Sequence, residues 1–417
     1  VTARVVADVW RHEAPYVLAA LLRRHGDLGD CEDAAQEAAA AALAQWDRDG
    51  TPADPRGWLI TVASRRLIDR VRADRARSGR EEAVATANPA DAYLAPAADA
   101  ERAEADDTLR LLLLCCHPSL SRPSQVALTL HAVGGLSTAR IAAAYLVPER
   151  TMTQRLTRAR ATLRAAGARF TLPARAELPE RIAAVLDVCH LLFVAGHTRS
   201  AGDALVDREL SAEAIRLTRS LHAAIPEHDE AAGALALMLL THARSATRLR
   251  AGELVPLAEQ DREQWDRAAI AEGVAILERV LPRGPVGRYQ LQAAIAAVHA
   301  EAATWAETDW AQIAVLYAML DRVAPSPIVT LNRAVAVGMA EGPDRGLALV
   351  TPLLDDPAMA RHHRTHAVRA HLLEMTGDAQ RALESYRRAA QLTASVPEQR
   401  YLNARAARLH RGPTHGD

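Results

Sequence analysis

Apolar residues recur at helical spacing through nearly the whole chain, broken by short Pro/Gly/Asp turns, and no stretch alternates as a half-buried strand would. The pattern predicts an all-α protein and disfavours a doubly wound or barrel enzyme. Within residues 56–72, Ile60, Ala63, Leu67 and Val71 share one helical face, while Arg65, Arg72 and, more obliquely, Arg66 point away. A loop at 46–55 precedes this helix, and before the loop Asp30–Glu37 opens a helix with acids at its favoured N-terminal end. Residues 136–165 predict helix, turn, helix. Ser137 or Thr138 is placed to cap the first helix, whose stripe is Ile141, Ala142 and Tyr145. Pro148 breaks it, because it disfavours helix at Val147 and removes a donor. The second helix sets Met152, Leu156, Ala159 and Leu163 on one face. Opposite them lie Arg150, Gln154, Thr157 and Arg158, with Thr153 at the edge and Arg155 and Arg160 flanking.

At 417 residues the chain is long enough for several domains, and 49% hydrophobic residues allow sizeable cores. All 50 basic residues are arginine, and against 51 acids they leave a net charge of -1. The balance excludes a uniformly basic, histone-like protein but hides four blocks. Arg56–Arg80 holds eight arginines and two acids, and Arg140–Arg169 seven arginines and one acid. Asp27–Asp54 holds eight acids and one arginine, and residues 81–107 again eight acids and one arginine. Basic blocks are either phosphate-binding surfaces or solvated helix faces, and charge alone does not separate the two. The helix-turn-helix pattern favours DNA over a plain helical hairpin. A face of Arg, Gln and Thr suits the major groove, where arginine pairs with guanine and glutamine with adenine. Four cysteines are too few for a disulfide scaffold and suit a reducing cytoplasm. No signal pattern opens the chain, and no apolar run is long enough to span a membrane. Val1 is expected to reflect a GTG start codon.

The order of an acidic helix, a loop, a basic helix, an acidic tether and a helix-turn-helix resembles the extracytoplasmic-function sigma factors of the sigma-70 family (group IV). DCEDAAQEAAAAALAQW resembles the part of region 2 that docks on core RNA polymerase, and RGWLITVASRRLIDRVRADR the segment that reads and melts the –10 element. LSTARIAAAYLVPERTMTQRLTRARATLR resembles region 4, which reads the –35 element. The resemblance implies a region 2 bundle at 1–77, an acidic linker at 78–107, region 4 at 108–170 and a tetratricopeptide-like helical regulatory domain at 171–417. It implies core RNA polymerase (β′ clamp helices and β flap) and promoter DNA as partners, and a cytoplasmic location. Asp33, Gln36 and Glu37 would face the clamp. The loop Asp49–Arg56 would capture a flipped –10 base. Arg65, Arg66, Asp69 and Arg72 would meet –10 DNA, and Arg150, Thr153, Gln154, Arg155, Thr157 and Arg158 the –35 element. Three departures stand out: Ser64-Arg65 where the family often has Arg-Asn, Leu146 in place of a turn glycine, and Ala38–Ala42 in place of bulky residues, which is expected to thin helix packing. The acidic tether reads either as the linker threaded toward the polymerase active-site cleft or as a solvated connection.

Beyond the Phe170–Pro173 boundary the chain reads as a degenerate helical solenoid. Residues 376–392 fit the second half of a tetratricopeptide repeat, with Gly377 at the turn, Ala382 and Ala389 at close contacts and Tyr386 between helices. GELVPLAEQDREQWDRAAIAEG and GRYQLQAAIAAVHAEA resemble segments of the sigma subgroup with such an extension. The extension is either a regulatory module, binding a protein or a ligand, or a stabilising appendage. Asp261–Asp266 reads as a buried salt-bridge network. Cys115-Cys116-His117, with Cys31 or Cys189-His190, lacks closed zinc spacing, and small buried cysteines are the commoner outcome; His362 and His366 read as surface residues. No nucleophile elbow, phosphate loop or carboxylate pair stands out, so no enzyme activity, catalytic residue, metal or cofactor is expected. The alternative function is a helix-turn-helix regulator on a helical-repeat scaffold that never binds polymerase. Only the sigma reading needs the acidic helix Asp30–Gln45.

Overall fold

The computed structural model describes residues 2–78, 107–145, 147–197, 201–202 and 207–411. The acidic tether between 79 and 106 and Leu146 lie outside the described residues. The described chain is almost wholly helical and divides into two compact units. One comprises Val1–Leu191 with Arg219–Ala224, and the other Leu192–Thr218 with Ile225–Asp417.

In the first unit α1 (Thr2–His25), α2 (Leu28–Asp49) and α3 (Pro55–Ser78) pack on one another. Asp27 caps α2 by accepting from Asp30 N, and Gly50 ends the helix at φ 81°, a conformation that favours glycine. The stripe Ala34, Ala35, Ala38 and Ala42 is fully buried. It was expected to thin the packing. Instead, small side chains let α2 sit close to its neighbours, and Leu18, Leu21, Leu59 and Leu67 supply the bulk. On α3 the buried line is Leu59, Ala63 and Leu67, with Ile60 only partly covered. After the tether come α4 (residues 107–115), α5 (Arg122–Ala132), α6 (Thr138–Ala144) and α7 (Glu149–Ala165). Ser137 caps α6 by accepting from Arg140 N, and Pro148 stands at the N-cap of α7. Ile141, Ala142, Met152, Leu156, Ala159 and Leu163 are buried, and α5, α6 and α7 pack together. This is the expected helix-turn-helix.

Helix α8 (Leu178–His197) crosses the division between the units, as does α9 (Arg208–Ala224). The second unit continues with α10 (Asp229–His242), α11 (Arg267–Val280), α12 (Arg288–Glu301), α13 (Trp310–Val323), α14 (Pro327–Glu341), α15 (Pro343–Val350), α16 (His363–Met375), α17 (Ala379–Leu392) and α18 (Val396–Arg411). Neighbours along the chain pack in pairs, notably α13 with α14, α16 with α17 and α17 with α18. Gly377 turns the chain at φ 83°, Ala382, Ala389 and Tyr386 are buried between helices, and the Tyr386 hydroxyl donates to Glu374 at 2.7 Å. A helical hairpin is therefore present where the 376–392 pattern predicts one. At Gly233 α10 meets α12 so closely that an added Cβ would lie 2.7 Å from Gln290 N. Among the described residues sheet is confined to two-residue pairs: β1 (Ala201–Gly202) with β4 (Ala394–Ser395), and β2 (Leu249–Arg250) with β3 (Glu253–Leu254).

The 261–266 stretch differs from expectation. Asp261 and Asp266 are caps, accepting from Glu263 N and Ala269 N. Arg262 donates to the carbonyls of His299 and Ala302 at 2.6 and 2.7 Å. Side chains here satisfy helix ends and buried backbone rather than form a salt-bridge network. All four cysteines are free and buried, with the Cys31 and Cys116 thiols pushed up to about 12 by desolvation. Among the described residues no group of three or more metal-ligating side chains forms, and no helix is long and apolar enough to cross a membrane.

Candidate nucleic-acid and polymerase interface

The outward face of α7 is set by its buried one. With Met152, Leu156, Ala159 and Leu163 inside, Arg150, Thr153, Gln154, Thr157 and Arg158 are exposed and Arg155 is half-buried. Thr153 Oγ1 donates to Glu149 O, Thr157 Oγ1 to Thr153 O, and Arg158 Nε to Gln154 O at 3.3 Å. None of Arg150, Gln154, Arg155 or Arg158 forms an ion pair with a described residue. Arg155 lies near Tyr145, whose hydroxyl is pushed up to about 12 by burial, with Arg155 opposing the shift. The six residues expected on the –35 element therefore lie along one helix.

Helix α3 presents Arg65, Arg66, Asp69 and Arg72 to solvent. Arg66 lies 3.8 Å from Glu37 and Arg72 3.9 Å from Asp69, while Arg65 has no ion pair among the described residues. Other arginines of this basic block serve the fold. Arg56 donates to Glu13 at 2.5 Å and lies over the Tyr16 ring, and Arg70 donates to Glu37 at 2.5 Å with Asp33 at 3.6 Å. Trp46 and Trp58 meet edge to face at 5.5 Å across the ends of the loop between α2 and α3, fixing its base. Asp54 Oδ1 accepts from Gly57 N and closes its last turn.

The acidic face of α2 is engaged from two sides. Asp33, Gln36 and Glu37 are all exposed, but Asp33 and Glu37 face Arg70, and Gln36 Nε2 lies 2.8 Å from His131 Nε2 on α5. One turn earlier α7 reaches the same helix. Arg160 Nε donates to Glu32 Oε2 at 2.5 Å, and Arg164 donates to both oxygens of Asp27 at 2.7 and 2.8 Å, with Asp30 at 3.7 Å. The Arg164 guanidinium holds the Asp27 carboxyl below the usual carboxylate range. Arg160, expected to suit phosphate, is thus paired with the nearly inaccessible Glu32. Packing across this clasp is incomplete. A cleft of about 360 Å3 is lined by Trp10, Glu32, Gln36, His131, Ser137 and Glu149, and Glu32 Oε1 has no hydrogen bond. Sequence reading saw the acidic and basic blocks but not that Arg160, Arg164 and His131 would meet α2.

Comparison with known proteins agrees with this geometry. Residues 9–77 match the family described as Sigma-70 region 2, and residues 110–163 that described as Sigma-70, region 4. Residues 181–281 match a family of unknown function, DUF6596. An uncharacterized protein of Rhizobium meliloti (strain 1021) is 41% identical over 409 residues, covering 96% of this chain and 94% of its own length. The "ECF RNA polymerase sigma factor SigK" of Mycobacterium ulcerans (strain Agy99) is 33% identical over 32% of this chain and 71% of that protein. The "Probable ECF RNA polymerase sigma factor SigI" of Mycobacterium tuberculosis (strain ATCC 25618 / H37Rv) is 34% identical over 33% of this chain, which spans only 47% of that relative. No solved structure matches. With a region 2 bundle, a region 4 helix-turn-helix and these relatives, the chain belongs to the extracytoplasmic-function RNA polymerase sigma factors and carries a C-terminal helical extension.

Proposed function

We propose that this sigma factor selects promoters through two surfaces and docks through a third. Arg150, Thr153, Gln154, Arg155, Thr157 and Arg158 of α7 read the –35 element; Arg65, Arg66, Asp69 and Arg72 of α3 meet the –10 element; Asp33, Gln36 and Glu37 of α2 bind the polymerase clamp. The observation that carries the reading is the outward face of α7, where arginine and glutamine stand exposed and without ion pairs opposite a fully buried stripe. The helical extension, in this reading, modulates activity. A regulator that never meets polymerase has no use for the region 2 bundle, which sets that alternative aside.

Opening of the clasp between α2 and α7 belongs to the same proposal. The two elements, by their names 25 base pairs apart, lie about 85 Å apart on a straight duplex at roughly 3.4 Å per pair. Helices α3 and α7 both touch α2, and two packing distances of 8–10 Å put them only about 20 Å apart. The clasped form cannot span both elements, so Arg160 and Arg164 must leave Glu32 and Asp27 when DNA is bound.

Run-off transcription tests the proposal. The full chain with core RNA polymerase should transcribe, from a library of random upstream sequences, templates that share two separated blocks. Absence of any transcript together with failure to co-purify with core polymerase would overturn it.

A further inference from the structure

The second unit carries a half-open pocket of about 250 Å3 lined by α10, the segment after it, α12 and α13. Its chemistry is set by Thr241, Arg244, Trp265, Gln292, His299 and Tyr317, the remaining lining being leucine, isoleucine and alanine; no acid takes part. Arg244 has neither an ion pair nor a side-chain hydrogen bond among the described residues. Its neighbour Arg262 is different: it holds two backbone carbonyls and lies over the Trp265 ring at 4.9 Å. Arg244 is half-buried, and with no acid in the lining its charge meets no counter-charge there; desolvation lowers its guanidinium to about 10.

The other groups narrow the occupant. His299 keeps a buried Nδ1 without a partner, and burial, with Arg244 and Arg262 adding to it, pushes its pKa down to about 4, so it is neutral at pH 7. Burial raises the Tyr317 hydroxyl to about 12, which keeps it protonated as a donor. One positive charge, with hydroxyls and an amide set around an apolar floor, matches one negative charge. A dianionic phosphate would find no second cation in the lining to pair its second charge. The space equals that of about eight waters at roughly 30 Å3 each.

We propose that this cavity binds a small organic monoanion, a carboxylate on a compact apolar body, with the carboxylate taken by the Arg244 guanidinium fork. The proposal rests on the regulatory reading of the extension only for its effect on transcription. Binding is read without polymerase, so failure of one is distinguishable from failure of the other.

Calorimetric titration and thermal unfolding of the full chain with sodium benzoate, phenyl phosphate and benzamide test it. Benzoate at about a hundredfold excess over its Kd should raise Tm by roughly 5 °C, phenyl phosphate less, and neutral benzamide not at all. Arg244→Met should weaken benzoate binding by more than about tenfold, the effect of losing a charge-assisted pair. Because it removes an uncompensated charge, its own Tm should equal or exceed that of the unaltered chain, which separates lost binding from lost folding. No rise with benzoate, an equal rise with benzamide, a stronger one with phenyl phosphate, or an undiminished response in Arg244→Met would each overturn the proposal.

Discussion

Thr153 and Thr157 donate their hydroxyl protons to carbonyls four residues back, so in the proposed –35 contact they would offer only lone pairs and methyl groups. That suits the exocyclic amines of cytosine and adenine or the thymine methyl, and leaves acceptor-rich guanine to Arg150 and Arg158. Arg158→Ala should relax preference at one base pair of the –35 element by about 1–3 kcal/mol, roughly fivefold to 150-fold. Arg155→Ala should weaken all sequences alike and lower the salt slope by about one contact. Anisotropy titrations on duplexes differing at single positions, at several salt concentrations, check both; equal loss at every position for Arg158→Ala would remove its base-reading role. These outward residues were legible because a 3.6-residue period fixes which face is buried. Arg160 and Arg164 were not, since their partners on α2 lie 128 and 137 residues away in the chain, and no local pattern encodes such a pairing. Arg244 was equally hidden, because its isolation depends on which helices surround it.

Among the elements, those with strong local signals were readable: the capped helix-turn-helix, the acidic opening of α2 and the Gly377 hairpin. The division between units within α8 was not, since nothing interrupts that helix near Leu191. Two-residue strands are likewise too short to leave a period. Helices α8 and α12 each carry a buried neutral histidine, and this gives the second unit a pH response. Burial lowers His197 to about 2 and His299 to about 4, both below the ordinary value of 6.5. A depressed value means that the fold favours the neutral form. The stability it contributes is fully present above pH 6.5 and is lost as pH falls toward the folded values, at up to about 1.4 kcal/mol per pH unit for each histidine. Tm should therefore be level above pH 7 and fall steadily from pH 6.5 to 4.5, less steeply in His299→Gln. A level Tm across that range would contradict the burial of these rings. The Asp27–Arg164 pair behaves differently: with its carboxyl already below 3.8, it weakens only in stronger acid, so pH changes near neutrality do not break this pair.

At the scale of the molecule, a net charge of -1 conceals surfaces of opposite sign that satisfy one another inside the first unit. The same arginine-rich helix whose outward face we propose reads DNA turns its last two turns toward the acids of α2. The exposed Arg164 pair contributes about 0.5 kcal/mol and is screened by salt, whereas Arg160 is paired with the buried Glu32, whose charge loses that partner if the clasp opens. In the proposed opening, contacts to polymerase and promoter must offset that loss. Spin labels at Thr61→Cys on α3 and Ala161→Cys on α7, both exposed positions in a chain whose own four cysteines are buried, measure the separation of the two reading helices directly. Opening of the clasp predicts a distance of about 20–30 Å in the free chain, from two helix packings, lengthening toward about 80 Å in the complex with core polymerase and promoter. An unchanged short distance in a transcribing complex would contradict it.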